Sequence, residues 1–228
     1  MTTPTEKPST DDDKEIFRHI REAFSSHNQD DGPLIVAIGG GAASGKSRLA
    51  KLILERLIQL LEPGAVALLR GDFFLSRGLG LEPGDNWDGY QWARFEAALR
   101  AIRNRVGVII EEISWESGEI LQEITITSKV QIVLVEGPGI FQNEFDEHYD
   151  VGYWVQCPAG ERLRRGRARS AATPKVEGGN YGAEHYEMWP RWIDKDNRYE
   201  QKHRPTDRGI VKMIFYNDKV LGEDLMPV

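Results

Sequence analysis

The dominant pattern along the chain is a series of short apolar runs separated by longer segments of helical periodicity. Leu34-Ile35-Val36-Ala37-Ile38 is apolar at every position and is bounded by Pro33 and Gly39. A strand buried on both faces, as in a parallel sheet, reads this way, whereas a half-exposed strand alternates. Ala65 to Leu69, Val130 to Val135 and Val151 to Val155 are further strongly apolar strands, and Ile210 to Phe215 predicts a last strand. Leu49, Leu52, Ile53, Leu57, Leu60 and Leu61 predict a helix over Ser47 to Glu62, stopped by Pro63-Gly64. Phe95, Leu99 and Ile102 predict a helix over Gln91 to Asn104. Ile16, Ile20, Ala23 and Phe24 predict an amphipathic one over Glu15 to Ser26, followed by a turn-rich linker from His27 to Pro33. Ala159 to Arg169 and Gly182 to Gln201 are helical by composition, with a flexible stretch from Ala168 to Tyr181 between them. Val108 to Thr127 predicts two short strands around Glu116-Ser117-Gly118. Strands alternating with helices predict a three-layer α/β fold with a mostly parallel sheet and a short β-hairpin insertion.

The length of 228 residues fits one domain with a small lid rather than several domains. A chain of this size buries roughly 70% of its unfolded surface, so it needs no disulfide or structural metal. The lone Cys157 allows no intrachain bridge and no zinc site built on several cysteines. We expect a disordered tail over residues 1–14 and one folded unit over 15–228. Acids outnumber bases by 36 to 29, a net charge of −7, which argues against a general nucleic-acid surface. The polar N-terminus lacks the apolar core of a secretory signal, and no run approaches the ~18 apolar residues of a membrane span. A reducing cytoplasmic location is the expectation.

The segment Gly39-Gly40-Gly41-Ala42-Ala43-Ser44-Gly45-Lys46-Ser47 carries the first chemistry. Gly40, four residues, then Gly45-Lys46-Ser47 fits the Walker A pattern. Small residues let successive backbone N–H groups converge on a phosphate, and the following helix adds its positive end. Lys46 then reaches the β- and γ-phosphates, and the Ser47 hydroxyl is placed for Mg²⁺. The context agrees, because a buried strand enters the segment and an amphipathic helix leaves it. ATP and Mg²⁺ are therefore the expected ligands.

Three further features narrow the reaction. Asp72, in Gly71-Asp72-Phe73-Phe74, follows the second strand at the sheet edge where ligands bind. It is a candidate to take a proton from a substrate hydroxyl or to hold Mg²⁺ through water, and otherwise a turn aspartate. Glu136 ends the strand Val133-Leu134-Val135 as a Walker B acid does, a metal ligand directly or through water. Glu161-Arg162-Leu163-Arg164-Arg165-Gly166-Arg167-Ala168-Arg169 puts five arginines near a single acid. Arginines on a closing lid neutralise charge on a transferring phosphoryl group, and we read about 161–182 as that lid.

With these residues the chain resembles the uridine kinase and phosphoribulokinase group of P-loop small-molecule kinases, from about Leu34 to Phe215. Gly71-Asp72-Phe73-Phe74 resembles the segment whose aspartate is that family's catalytic base. Asn86-Trp87-Asp88, followed by Trp92 and Phe95, resembles its Asn-Phe/Trp-Asp entry to a helix. Ile113 to Glu119 resembles the substrate-contacting segment, and Glu136-Gly137 the strand-end Glu-Gly. Arg162-Leu163, Arg165 and Arg169 match the lid pattern Arg-Leu-x-Arg-Arg-x-x-Arg-Asp. Tyr186, after His185, sits where the family often has Gln-Tyr. The resemblance implies a P-loop fold, phosphoryl transfer with catalytic Lys46, Asp72, Arg165 and Arg169, and acceptor contacts from Trp87, Asp88, Trp115 and Tyr186. It also implies a homo-oligomer, as family members often are.

The departures cluster on the acceptor side. The family's His-Pro is Gly89-Tyr90 here, its Tyr-Asp pair is Ser114-Trp115, and no His-x-Arg follows Trp115. In the lid, Gly166 replaces an arginine and Ser170 an aspartate. The expected function is transfer of the γ-phosphoryl of ATP to a hydroxyl of a small nucleoside-like or sugar-like metabolite. The alternative is a nucleotide-binding regulatory or assembly protein without such an acceptor. Trp87, Trp92 and Trp115 suit an acceptor wall or plain packing. Trp154 reads as core, and Trp189 and Trp192 as a helix face packed on the sheet. His148, His185 and His203 read as surface or partly buried, and Cys157 as a small buried hydrophobe.

Overall fold

A computed structural model describes residues 12–74, 87, 89–113, 119–172 and 183–215. Five strands form one all-parallel sheet: β1 (Leu34–Gly39), β2 (Val66–Arg70), β5 (Ile132–Gly137), β6 (Val151–Gln156) and β7 (Val211–Phe215). Their spatial order is β2-β5-β1-β6-β7. Two further strands, β3 (Val108–Ile113) and β4 (Ile120–Ile126), pair antiparallel in a separate hairpin. The chain runs from β1 outward to β2 on one side and later to β6 and β7 on the other. The switch in direction lies at β1, where ligands settle beyond the strand ends.

Continuous apolar runs are explained by two cores, one on each sheet face. Leu34, Val36 and Ile38 of β1 face helix α2 (Lys46–Ile58) and helix α1 (Asp12–Ser26), through Leu49, Ile53, Leu57, Ile16 and Ile20. Ile35 and Ala37 face the other way, into a cluster with Phe95, Leu99 and Ile102 of α3 (Trp92–Arg103). That cluster also takes Ile110 and Ile126 of the hairpin and Tyr199 of α5 (Trp189–His203). Each large aliphatic side chain so enclosed contributes about 1.5–3 kcal/mol.

Several boundaries differ from expectation. α1 begins at Asp12, ahead of Glu15, and residues 1–11 lie outside the described part. β5 extends to Gly137 because its register with β1 runs from Leu34↔Ile132 to Gly39↔Gly137, which puts Glu136 inside the strand. Helix α4 covers Ala159–Ala172. The helix expected from Gly182 is a 3-10 turn over Ala183–Met188 and then α5, with Pro190 in its first turn. Pro lacks the N–H that a helix interior would use, so Pro190 marks a start. Trp189 and Trp192 do not lie on the sheet. Trp189 is fully buried against α4, where its Nε1 donates to Ser170 Oγ at 2.8 Å, and Trp192 packs edge-on against it. His148 and His185 are buried rather than superficial. Trp154 and Cys157 are buried as expected. No helix among the described residues is long and apolar enough to cross a membrane.

Candidate active site

The glycine-rich segment lies between β1 and α2, over the C-terminal ends of the strands. Gly40 has φ +153° and Gly45 φ +105°, conformations that side chains disfavour. A Cβ on Gly40 would stand 2.7 Å from Ser44 Oγ and 2.8 Å from the Val155 carbonyl oxygen, so glycine is required there by space as well. α2 starts at Lys46 with no side-chain cap, leaving its first N–H groups available to an anion. Lys46 is buried and folds back to place Nζ 3.4 Å from the Gly41 carbonyl oxygen.

The two acids converge on the same end of the sheet. Register places Arg70, Glu136 and Ile38 in one row across β2, β5 and β1. Alternation turns Glu136 toward α2, where Ser47 Oγ donates to its Oε1 at 2.7 Å. Glu136 is buried, and desolvation pushes its carboxyl up; the nearby Asp72 adds to that, while Lys46, the Ser47 hydrogen bond and Arg70 oppose it. Asp72 lies in the 3-10 turn Gly71–Phe74 directly after β2. Arg70 links the pair, with Nη2 3.5 Å from Asp72 Oδ2 and Nε 3.9 Å from Glu136 Oε2. Two carboxylates and a hydroxyl are hard oxygen donors of the kind Mg²⁺ takes alongside phosphate oxygens.

Beside Asp72 stands an aromatic wall. Tyr90 donates its hydroxyl to Asp72 Oδ1 at 3.0 Å and stacks on Trp92 with ring centres 4.9 Å apart. Trp87 meets Tyr90 edge-on, and its carbonyl accepts from Trp92 Nε1 at 3.1 Å. Trp87 has φ +58°, a strained conformation of order 1–3 kcal/mol that packing must hold. Lys195 supplies part of that packing, with Nζ 3.9 Å from the Trp87 ring centre. The buried Trp87 Nε1 finds no hydrogen-bond acceptor among the described residues. Of the other expected acceptor residues, Asp88 and Trp115 lie outside the described part. Tyr186 stands apart, beneath Arg167 and beside Leu163 and Ala171 on the flank of α4.

The arginines of α4 have different surroundings. Arg165 reaches the loop, with Nη1 3.4 Å from the Ser44 carbonyl oxygen, while its Nε donates to Glu161 at 2.9 Å. Glu161 also takes Arg164, whose hydrogen bonds lead those that hold its carboxyl down at about 2. Arg169 lies over the Trp189 ring at 5.1 Å. Arg162 is buried, paired with Asp196 of α5 at 2.9 Å. Asp196 and its contact with the loop were missed by the sequence reading. The available signal was an acid on the apolar stripe of α5, in step with Trp189, Trp192, Ile193 and Tyr199.

No protein-family model matches the chain. Uridine-cytidine kinase B of Dictyostelium discoideum is 27% identical over 165 residues, covering 68% of this chain and 65% of that protein. The chain thus matches a little under two thirds of that relative's length. Three solved structures superpose over most of the chain. A candidate fructose transport system kinase from Silicibacter sp. gives a TM-score of 0.64 at 16% identity, over 86% of this chain and 95% of that one. A possible uridine kinase from Bacillus stearothermophilus gives 0.60 at 12% identity, over 87% and 97%. A candidate P-loop containing kinase with a circular permutation, from Saccharomyces cerevisiae, gives 0.65 at 11% identity, over 90% and 99%. The five-stranded parallel sheet with its phosphate loop is the fold of the P-loop kinases. Within that class, the sequence is similar to a uridine-cytidine kinase over about two thirds of the chain.

Proposed function

We propose that the protein transfers the γ-phosphoryl group of ATP to a hydroxyl of a small metabolite. The observation that carries this reading is the convergence of Asp72, Glu136, Ser47 and Arg70 beside the phosphate loop. A binding-only protein has no use for a carboxylate held at the acceptor wall. In this reading the loop from Gly40 through Gly41, Ala42, Ala43, Ser44 and Gly45 to Ser47 cradles the phosphates. Lys46 lies against the β- and γ-phosphates and offsets their charge. Ser47 and Glu136, with Asp72 nearby, would hold Mg²⁺, which supplies charge neutralisation on the phosphate oxygens. Asp72 takes the proton of the acceptor hydroxyl as its oxygen forms a bond to the γ-phosphorus. The bond from that phosphorus to the bridging oxygen breaks, and ADP leaves. Arg165, with Arg169 one turn farther along α4, stabilises the charge from the lid side.

The acceptor binds against Trp87, Tyr90 and Trp92, with Asp88 and Trp115 assigned to the same side by family resemblance. Tyr90 occupies one of the positions at which the chain departs from the family, and the departure places a hydroxyl on the base. Tyr90→Phe is expected to lower kcat about tenfold, the order of one hydrogen bond to a charged group, with the KM for ATP unchanged. Steady-state kinetics with both substrates varied checks this. The reading as a whole is tested by incubating the protein with ATP, Mg²⁺ and a pool of nucleosides, sugars and sugar acids, read by mass spectrometry. One compound should gain a phosphoryl group, and Lys46→Ala should abolish the gain. Tight ATP binding with no phosphorylated acceptor in any such pool would sink it.

A further inference from the structure

Asp196 sits on the buried face of α5, where an acid is costly unless fully partnered. Its Oδ2 accepts from Arg162 Nη1 at 2.9 Å and from the Ala42 backbone N–H at 2.6 Å. Arg162 completes its own set with Asn197 Oδ1 at 2.6 Å and the Cys157 carbonyl at 3.2 Å. Both members of the ion pair are 4% exposed. A buried ion pair adds little net stability over apolar side chains of equal volume, so its value lies in the geometry it imposes.

That geometry falls on one peptide unit of the phosphate loop. The N–H of the Gly41–Ala42 peptide points at Asp196, and its carbonyl receives both the Ser44 N–H at 3.1 Å and Lys46 Nζ at 3.4 Å. A Cβ on Gly41 would come within 1.9 Å of Arg162 Nη1 and 3.0 Å of Asp196 Oδ2, so the pair lies directly on the backbone. The peptide plane is therefore held from both ends, and its carbonyl sets where Lys46 rests.

We infer that Asp196, with Arg162, is a positioning residue that locks the Gly41–Ala42 peptide and couples the aim of the phosphate loop to the lid helix α4. The inference rests on reading that loop as the ATP site. The charged groups that face Asp196 are Arg162 from α4, Lys46 from α2 and its neighbour Lys195 on α5. Burial raises its carboxyl to about 6, against the pull of Arg162, the Ala42 N–H and the two lysines. At neutral pH it is ionised and holds both partners; below about 6 it gains a proton and no longer balances Arg162.

The test is ATP·Mg²⁺ binding to the full chain, by calorimetry, from pH 7.5 to 5. Wild type should weaken about tenfold across that span relative to Asp196→Asn, the order of one lost charge-assisted hydrogen bond. Asp196→Asn should bind about tenfold more weakly at pH 7.5, with the two curves converging at pH 5. The reference variant cancels titration of the nucleotide itself. Parallel curves of equal affinity, even with a changed melting temperature, would reduce the pair to a structural role and overturn the inference. Should Asp196→Asn fail to fold, Arg162→Lys replaces it, and wild-type affinity that is flat with pH overturns the inference alone. Absence of ATP binding in the wild type at any pH would instead remove the ATP-site reading, and the inference with it.

Discussion

Asp72→Asn is expected to leave ATP·Mg²⁺ bound while phosphoryl transfer falls about 10³-fold, within the range for loss of a general base. The variant keeps the shape of the side chain and keeps an oxygen that can accept from the Tyr90 hydroxyl, which lies 3.0 Å from Asp72 Oδ1. It loses the negative charge that pairs with Arg70 and the lone pair that would take the acceptor's proton. Two measurements separate the roles open to this residue. Single-turnover transfer reports the proton step, and the Mg²⁺ dependence of ATP binding reports metal holding. A lost proton acceptor slows the first and leaves the second unchanged; a lost metal ligand weakens both. Full transfer activity in Asp72→Asn would remove the base assignment.

Gly166→Arg, which supplies the last arginine of the Arg-Leu-x-Arg-Arg pattern that this segment resembles, is expected to destabilise the fold by about 3 kcal/mol. For a domain of this size that corresponds to a fall in melting temperature of about 6–12 °C. A Cβ at position 166 would lie 2.2 Å from the Trp189 ring. Trp189 has nowhere to go: it is fully enclosed and its Nε1 is bonded to Ser170 Oγ. Gly166 and Ser170, the two positions of α4 that depart from the pattern the segment resembles, therefore answer the same indole. One makes room for the ring and the other accepts its N–H. Thermal unfolding followed by circular dichroism checks the prediction, and an unchanged melting temperature would show that α4 yields to the larger side chain.

The strands were legible because burial on both faces leaves no polar position within the run, as in Leu34 to Ile38. The phosphate loop was legible because its chemistry is local: glycines, a lysine and a serine fixed within nine residues. Asp72 just after β2, Glu136 next to last in β5 and Ser47 at the start of α2 come together because the topology gathers those segments at one edge of the sheet. The contacts among helices were not legible. Trp189 and Trp192 announce a buried helix face, but periodicity does not say whether the neighbour is a sheet or another helix. The five arginines of α4 looked short of partners because the partner of Arg162 comes from 34 residues away. Tyr90 read only as a mismatch to a family pattern, and its bond to Asp72 depends on a turn in the backbone near Trp87 that no local rule signals.

Among the described residues, the hairpin of β3 and β4 forms a sheet separate from the main one and joins it through side chains such as Ile110 and Ile126. The phosphate side of the protein, by contrast, is built on an unbroken ladder from β2 to β7. A change within the ladder disturbs every neighbouring strand, whereas a change in the hairpin asks only for repacking at its apolar underside. Such a division leaves the strands that carry the phosphate loop undisturbed by a change in the hairpin.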